Sequence, residues 1–274
     1  ASVTNALSEW LDVTIYRDGV VSHIKFANGG HTVVPLEVLG KTNKHGTTVR
    51  FKPDATMFTT VDFKWDTIYN HLQESAFLLK KVRFVLKDER ANLSQEFYYE
   101  NGLTQYVGVL NQNKEAMSPI LDFEDMTSEI KMEIAVQYCS QDYNENILSY
   151  VNNIRTKDGG THETGFRAAI TRAVNDFANS NNLLKGKNNL DGSDIREGLT
   201  AIISLKIPES KLEFEGQTKG KLGTPEAANA VQNFFYTKFS YYLLENKDFS
   251  NALIKKCLDS QNARMAARKA RDDA

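Results

Sequence analysis

The stretch FEGQTKGKLG, Phe214 to Gly223, sets an amide, a hydroxyl and two lysines among three glycines. From Glu215 to Lys221 it holds no apolar side chain. Lysine in a glycine-flanked loop delivers a point charge to a phosphate, and Gln217 and Thr218 add hydrogen-bond donors. The same composition also describes a solvated turn, and the residues alone leave both readings open. GxxxxGK[ST] occurs nowhere in the chain, so there is no self-contained phosphate cradle. A phosphate met by this loop needs other residues to hold the rest of its molecule.

A second stretch, RTKDGGTHETGFR, gathers Arg155, Lys157, His162 and Arg167 around Gly159-Gly160 at a strand-to-helix junction. A helix N-terminus with cations beside it suits an anion. Asp158 and Glu163 offset half of that charge, and the glycines also suit a plain tight turn, so again two readings stand. His162 next to Glu163 raises acid–base chemistry, but no serine or cysteine in a nucleophile elbow accompanies them, and no triad can be assembled. Near the C-terminus, Arg264, Arg268, Lys269 and Arg271 recur at mostly helical spacing, either as a solvated helix end favoured by the helix dipole or as a nucleic-acid contact.

Cys139 and Cys257 have no CxxC or CxxH neighbour, and the five histidines lack ligand spacing. Neither a disulfide framework nor a site that holds metal by protein ligands alone is supported. Apolar residues make up 41% of the 274, charged residues 25%, and the formal net charge is −2. That balance is globular and argues against nonspecific nucleic-acid affinity of the whole chain. No run has the roughly 18 apolar residues of a membrane helix, and no signal-peptide pattern opens the sequence, so a cytoplasmic location is expected. The sequence starts at ASVTNALSEW without methionine and with helical apolar spacing, which reads as a piece of a longer protein.

The elements that must position these groups follow from periodicity. WLDVTIYRDGVVSHIKF alternates on both sides of Asp18-Gly19, a hairpin. TTVRFKP is a further strand, WDTIYNHLQESAFLL a helix, and KVRFVLKDE and QEFYYE return to alternation. A short helix, LTQYVGVLNQN, and a loop around Pro119 mark a domain boundary near residues 101 and 102. EIKMEIAVQYCS and NILSYVNNIRT are strands. HETGFRAAITRAVNDFA is a helix directing Phe166, Ile170 and Phe177 to a core, with Thr161 as its N-cap. SDIREGLTAIISLKIP is a helical turn and a buried strand. TPEAANAVQNFFYTKFSYYLLEN is a helix with Thr224 as N-cap and Pro225 at its first position, and a last helix runs from about Asp248 to the end.

SVTNALSEWLDVTIYRDG, HGTTVRFKPD, NNIRTKDGGTHETGFRAAIT, GSDIREGLTAIISLKIP, FEGQTKGKLG and ARMAARKAR resemble, in order and spacing, the ATPase region of bacterial type IIA topoisomerase B subunits. DFKWDTI, ESAFLLKK, FANGG and LDGSDIREGL are more similar to the topoisomerase IV B subunits of Gram-positive bacteria than to those of gyrase. The resemblance spans essentially the whole chain. It implies an α+β fold: the C-terminal part of a GHKL ATPase sandwich in residues 1–101, then a transducer domain in 102–274 with the fold of ribosomal protein S5 domain 2.

The resemblance also implies roles. Thr47 matches a threonine that helps hold adenine through a water, and Arg17 an arginine at the mouth of that pocket, where aminocoumarin-type inhibitors also bind. Gln217 and Lys219 match the transducer loop that reaches the γ-phosphate, and Arg167 an arginine facing the cavity that passes DNA. Thr4 departs from the family's usual valine. ATP and Mg²⁺ are the implied cofactors; DNA, the topoisomerase A-type subunit and a second B-type subunit are the implied partners. The family's general base, its magnesium-binding asparagine, its adenine-reading aspartate and its glycine-rich lid match nothing in this sequence, so the chain alone is expected not to hydrolyse ATP. The B-type subunit of gyrase and a non-catalytic DNA-interaction module are the alternatives.

Overall fold

Ser8–Arg17 (β1) and Val20–Ala27 (β2) pair antiparallel with Arg17 opposite Val20. Asp18 and Gly19 between them both have positive φ, 51° and 79°. That is the two-residue turn whose twist matches the strands it joins. The computed structural model describes residues 1–273. The chain divides into two compact units, one of residues 1–68 and one from Tyr69 onward.

In the first unit, a short helix Ser2–Ala6 (α1) precedes β1, and His31–Lys41 (β3) and Gly46–Pro53 (β4) complete a four-stranded sheet of order β3-β2-β1-β4. Periodicity did not predict β3. It contains Pro35, which cannot donate to a ladder, and such strands belong at edges or irregularities. β3 is an edge strand whose register against β2 slips at three points. Leu11, Val13, Ile15, Val49 and Phe51 share one face of the sheet by register, yet only Ser8 and Leu11 are buried in this unit.

The helix Trp65–Leu78 (α2) carries the division between the units in its second turn. The second unit continues with the hairpin Phe84–Asp88 (β5) and Leu93–Phe97 (β6) and the helix Gly102–Leu110 (α3). Its main sheet has the order β10-β9-β11-β8-β7: Leu121–Asp125 (β7), Lys131–Tyr138 (β8), Asn146–Val151 (β9), Ile154–Arg155 (β10) and Leu199–Lys206 (β11). NILSYVNNIRT is two strands rather than one, because Asn152 and Asn153 take positive φ and turn the chain back on itself. β11 runs parallel to β9 and antiparallel to β8. The crossover between β9 and β11 holds Thr161–Ser180 (α4) and Gly192–Arg196 (α5).

α4 and Pro225–Glu245 (α6) cover one face of this sheet, where Phe166, Ile170, Val174, Val231, Phe235 and Phe239 meet Ile134, Val136, Ala201 and Ile203. α3 covers the other face through Leu103 and Val107 against Ala135, Leu148 and Ile202. A strand covered on both sides reads as a continuous apolar run, which is why AIISL does not alternate. Lys247–Asp272 (α7) closes the chain. Cys139 and Cys257 are free and buried, and burial pushes the Cys257 thiol up to about 12. No helix among the described residues is long and apolar enough to cross a membrane.

Candidate functional site

FEGQTKGKLG is a hairpin, not a plain connector. Phe214–Glu215 (β12) and Lys221–Leu222 (β13) pair antiparallel, Phe214 with Leu222 and Glu215 with Lys221. Leu222 is fully buried and anchors one strand; Phe214 packs half-buried against the same core. The tip exposes Gln217, Thr218 and Lys219. Lys219 has φ of 54°, a left-handed conformation that costs a residue with a Cβ roughly 1–2 kcal/mol. The two lysines are unlike in their surroundings. Lys221 Nζ lies 2.9 Å from Glu215 Oε2 across the ladder, whereas Lys219 has no ion-pair partner among the described residues.

The hairpin sits on the turn made by the second candidate stretch. Asp158 N–H donates to the Gly220 carbonyl at 2.8 Å and Leu222 N–H to the Gly159 carbonyl at 3.0 Å. Gly160 forms a parallel bridge with Leu222. A Cβ at Gly160 would strike the Leu222 backbone, and its φ of 137° is itself one that side chains rarely adopt. The glycine pair therefore serves a tight turn and a close backbone approach at once. The two stretches that the sequence shows separately are joined into one backbone-linked unit.

Two threonines lock its base. Thr161, read from the sequence as an N-cap, is instead the first helical residue of α4 and follows Gly160 at the cap. Its hydroxyl donates to the Thr224 carbonyl at 2.7 Å. Thr224 is the N-cap of α6, with Pro225 at the first helical position, yet its hydroxyl makes no capping bond. It accepts from Glu213 N–H at 3.0 Å and donates to the Lys211 carbonyl at 2.8 Å. Both hydroxyls bind backbone distant in sequence instead of capping their own helices.

The other cations differ in the same way. Arg167 donates from Nη1 to both oxygens of Glu145, at 2.9 and 3.0 Å, and Arg196 Nε donates to Glu145 at 2.6 Å. Burial pushes the Glu145 carboxyl up, but the two guanidinium groups outweigh it and hold the group below its ordinary range. Arg155 Nη1 is 3.8 Å from Glu74. Arg264 pairs with Asp191 and Asp194 at 2.8 and 2.9 Å. His162 is completely buried, and burial pushes its imidazole down to about 4. It is a neutral interior group, out of reach of any substrate. Ser149 and Thr156, with which it is hydrogen-bonded in series, were not singled out by the sequence, since a serine and a threonine in strand context carry no distinguishing spacing.

In the first unit, Arg17 ends β1 with its side chain 74% exposed and 3.5 Å from Asp18. Thr47 lies opposite Ile15 on β4. Arg17 is two residues beyond Ile15, so alternation puts both side chains on the same face of the sheet. Thr4 lines an apolar cleft with Val3, Leu7, Phe51, Phe58 and Phe63, and its carbonyl accepts from Ser8 Oγ at 2.6 Å.

The tip of the hairpin offers an ammonium, an amide and a hydroxyl, a donor set that suits phosphate oxygens and not a cation. Among the described residues the carboxylate group with metal-like spacing is Asp122, Glu124 and Glu133, whose ligand atoms lie within 4.8 Å of one another. Lys80 Nζ already provides a cation there, paired with Glu124 and 2.8 Å from Glu133. Neither place fits magnesium: the first lacks anionic ligands and the second contains its own positive charge.

A family model described as DNA gyrase B matches residues 102–273. The chain is 53% identical over 275 residues to the B-type subunit of DNA topoisomerase 4 from Bacillus subtilis, covering 100% of this chain and 42% of that protein. It is 50% identical to the Streptococcus pneumoniae counterpart, covering 97% of this chain and 41% of that one. The chain thus spans about two-fifths of these relatives. Its fold matches the 43K ATPase domain of Thermus thermophilus gyrase B, solved in complex with an aminocoumarin, with a TM-score of 0.82 and 36% identity over 100% of this chain and 74% of that one. It also matches the topoisomerase IV ATP-binding domain of Francisella tularensis, solved with a small-molecule inhibitor, with a TM-score of 0.83 and 26% identity over 96% and 72%. The mixed α/β architecture and the relatives agree: the chain belongs to the DNA gyrase B family, the B-type subunits of type II DNA topoisomerases.

Proposed function

We propose that the chain is the part of a topoisomerase IV B-type subunit that conveys nucleotide state to DNA strand passage. The observation that carries this reading is the unneutralised Lys219 at the tip of a docked hairpin, beside Lys221 whose charge is matched by Glu215. In the parent protein, ATP is the nucleotide and Mg²⁺ its metal. Lys219 gives a positive charge, and Gln217 a side-chain amide, to the terminal phosphate as negative charge builds there during transfer. Magnesium supplies further charge neutralisation when bound, through ligands outside this chain's candidate site. Thr47 and Arg17 serve the adenine end of the nucleotide pocket, and Arg167 faces transported DNA.

Residues 1–101 are the C-terminal part of a GHKL domain and residues 102–274 a transducer domain. Support for that boundary comes from the gyrase B family model, which begins at residue 102; the compact units part earlier, after Ile68. The partners are DNA, the A-type subunit and a second B-type subunit, and the compartment is the cytoplasm. In the complete B-type subunit, Lys219→Ala should lower ATP turnover about 10²-fold or more with nucleotide affinity little changed. Weakened affinity with turnover intact would overturn the role. Decatenation without negative supercoiling by the holoenzyme is expected; introduction of negative supercoils would move the assignment to gyrase.

A further inference from the structure

Beneath the docked hairpin four side chains are hydrogen-bonded in series. Ser149 Oγ donates to Glu163 Oε1 at 2.7 Å, Ser149 Oγ and Thr156 Oγ1 are 2.6 Å apart, and Thr156 Oγ1 is 2.9 Å from His162 Nε2. Ser149 and Thr156 are 2% exposed and His162 0%.

The direction of the chain follows from counting protons. A carboxylate only accepts, so the single hydroxyl proton of Ser149 points at Glu163. With that proton spent, the 2.6 Å contact between the two hydroxyls takes the single proton of Thr156, whose Oγ1 also lies 3.0 Å from the Ser149 carbonyl. Neither hydroxyl has a proton left for the imidazole. His162 Nε2 is therefore the N–H donor, and Nδ1 is bare; Nδ1 is also buried without a hydrogen-bond partner.

The bond from His162 to Thr156 closes the 156–162 turn from the inside. Thr156 is tied to β9 by its N–H to the Ser149 carbonyl at 2.9 Å, and Gly159 N–H donates to the Thr156 carbonyl at 3.1 Å. The outer side of the same turn carries the hairpin, through Asp158 to Gly220 and Gly159 to Leu222. We propose that His162 is a positioning residue for Lys219: it fixes the turn on which the phosphate-contacting hairpin is seated, without touching nucleotide itself. This rests on the phosphate-contacting role proposed for Lys219.

The test uses the complete B-type subunit and resolves kcat from KM. His162→Leu removes the donor, Thr156→Val removes the acceptor with little change of shape, and His162→Gln restores an N–H at the end of the side chain. The expected result is a loss of about tenfold in kcat for His162→Leu and Thr156→Val, with KM within about threefold, and recovery of most of the activity in His162→Gln. On a Lys219→Ala background, His162→Leu should cost less than about twofold more, because the two residues act as one unit. Full activity in Thr156→Val, no recovery in His162→Gln, or a full tenfold further loss on the Lys219→Ala background would each overturn the positioning role while leaving Lys219 in place. Unchanged turnover in Lys219→Ala would sink the role of Lys219, and the proposal with it. Independently of any variant, nitrogen NMR of the histidine-labelled protein should show the His162 proton on Nε2; a proton on Nδ1 contradicts the donor assignment.

Discussion

Glu215 and Lys221 face each other across the two-stranded ladder with 2.9 Å between Oε2 and Nζ. Both side chains are about half exposed, so the pair contributes little stability, on the order of 0–1 kcal/mol. Its effect is on charge placement: one lysine is matched and the other is not. Lys221→Ala in the complete protein should therefore leave ATP turnover within about twofold, against the loss of about 10²-fold for Lys219→Ala. Equal losses for the two, measured side by side, would contradict the distinction.

Gly160→Ala should destabilise the chain by about 3 kcal/mol or more, the range for steric conflict in a packed interior combined with backbone strain. Gly186 has positive φ too, but a Cβ there meets nothing within 4 Å. Gly186→Ala should accordingly cost only about 1 kcal/mol. Urea unfolding of the two variants separates close approach from φ alone; equal midpoints would remove the docking argument.

The cluster around Lys80 makes a pH prediction. Glu133 on β8 is pushed up to about 7, first by burial and then by Asp122 and Glu124, with Lys80 opposing. Asp122 is also raised, chiefly by burial. A carboxyl whose folded value lies above its unfolded one stabilises the fold fully below the ordinary carboxylate range, and that contribution is lost as pH rises through about 7. Wild type should lose this share of stability between about pH 4.5 and 7 and little more above that, and Glu133→Gln should show a flatter profile across this window with a melting point higher by roughly 2–4 °C at its alkaline end. An unaltered slope in thermal melts would refute the assignment.

His162 acts with the opposite sign. Its folded value of about 4 lies below the ordinary 6.5, so its share of stability is complete above pH 6.5 and is lost as pH falls toward 4, where the unfolded chain takes up the proton first. His162→Gln should flatten this acid arm. Calorimetric scans between about pH 4 and 7 that show the same slope for both proteins would count against a neutral buried imidazole.

Phe235 stacks on Phe239 at 5.2 Å and meets Phe166 at 4.7 Å, joining α4 to α6. Phe235→Ala should cost about 3–5 kcal/mol in urea unfolding, as a large cavity in a fully buried site does. Its neighbour Phe234 is only partly buried, and Phe234→Ala should cost less than half as much. A reversed order would contradict this packing.

The first hairpin, α4 and α6 were legible in the sequence because each has a long period and a punctuating turn or proline. β3 was not, because its apolar residues point to both sides and are largely exposed, Leu36 at 64% and Val38 at 66%. β7 hides in the acidic run Leu121–Asp125. At the site, the residue types of FEGQTKGKLG left an anion contact and a solvated turn both open, and they could not separate Lys219 from Lys221. That separation depends on the ladder register, and strands of two residues have no periodicity to detect. Thr161 and Thr224 sit at helix starts as their types suggest, but long-range carbonyls and amides compete successfully for their hydroxyls.

The bridge from Gly160 to Leu222 leaves no room for a side chain, and one helical turn further on Gly165 comes as close to the backbone of Ala228 in α6. Hairpin, α4 and α6 are thus in backbone contact at successive points, without compressible side chains between them. Mechanically the base of the hairpin is stiffly joined to two long helices: backbone packed on backbone leaves no side chain between them to rearrange and absorb a displacement.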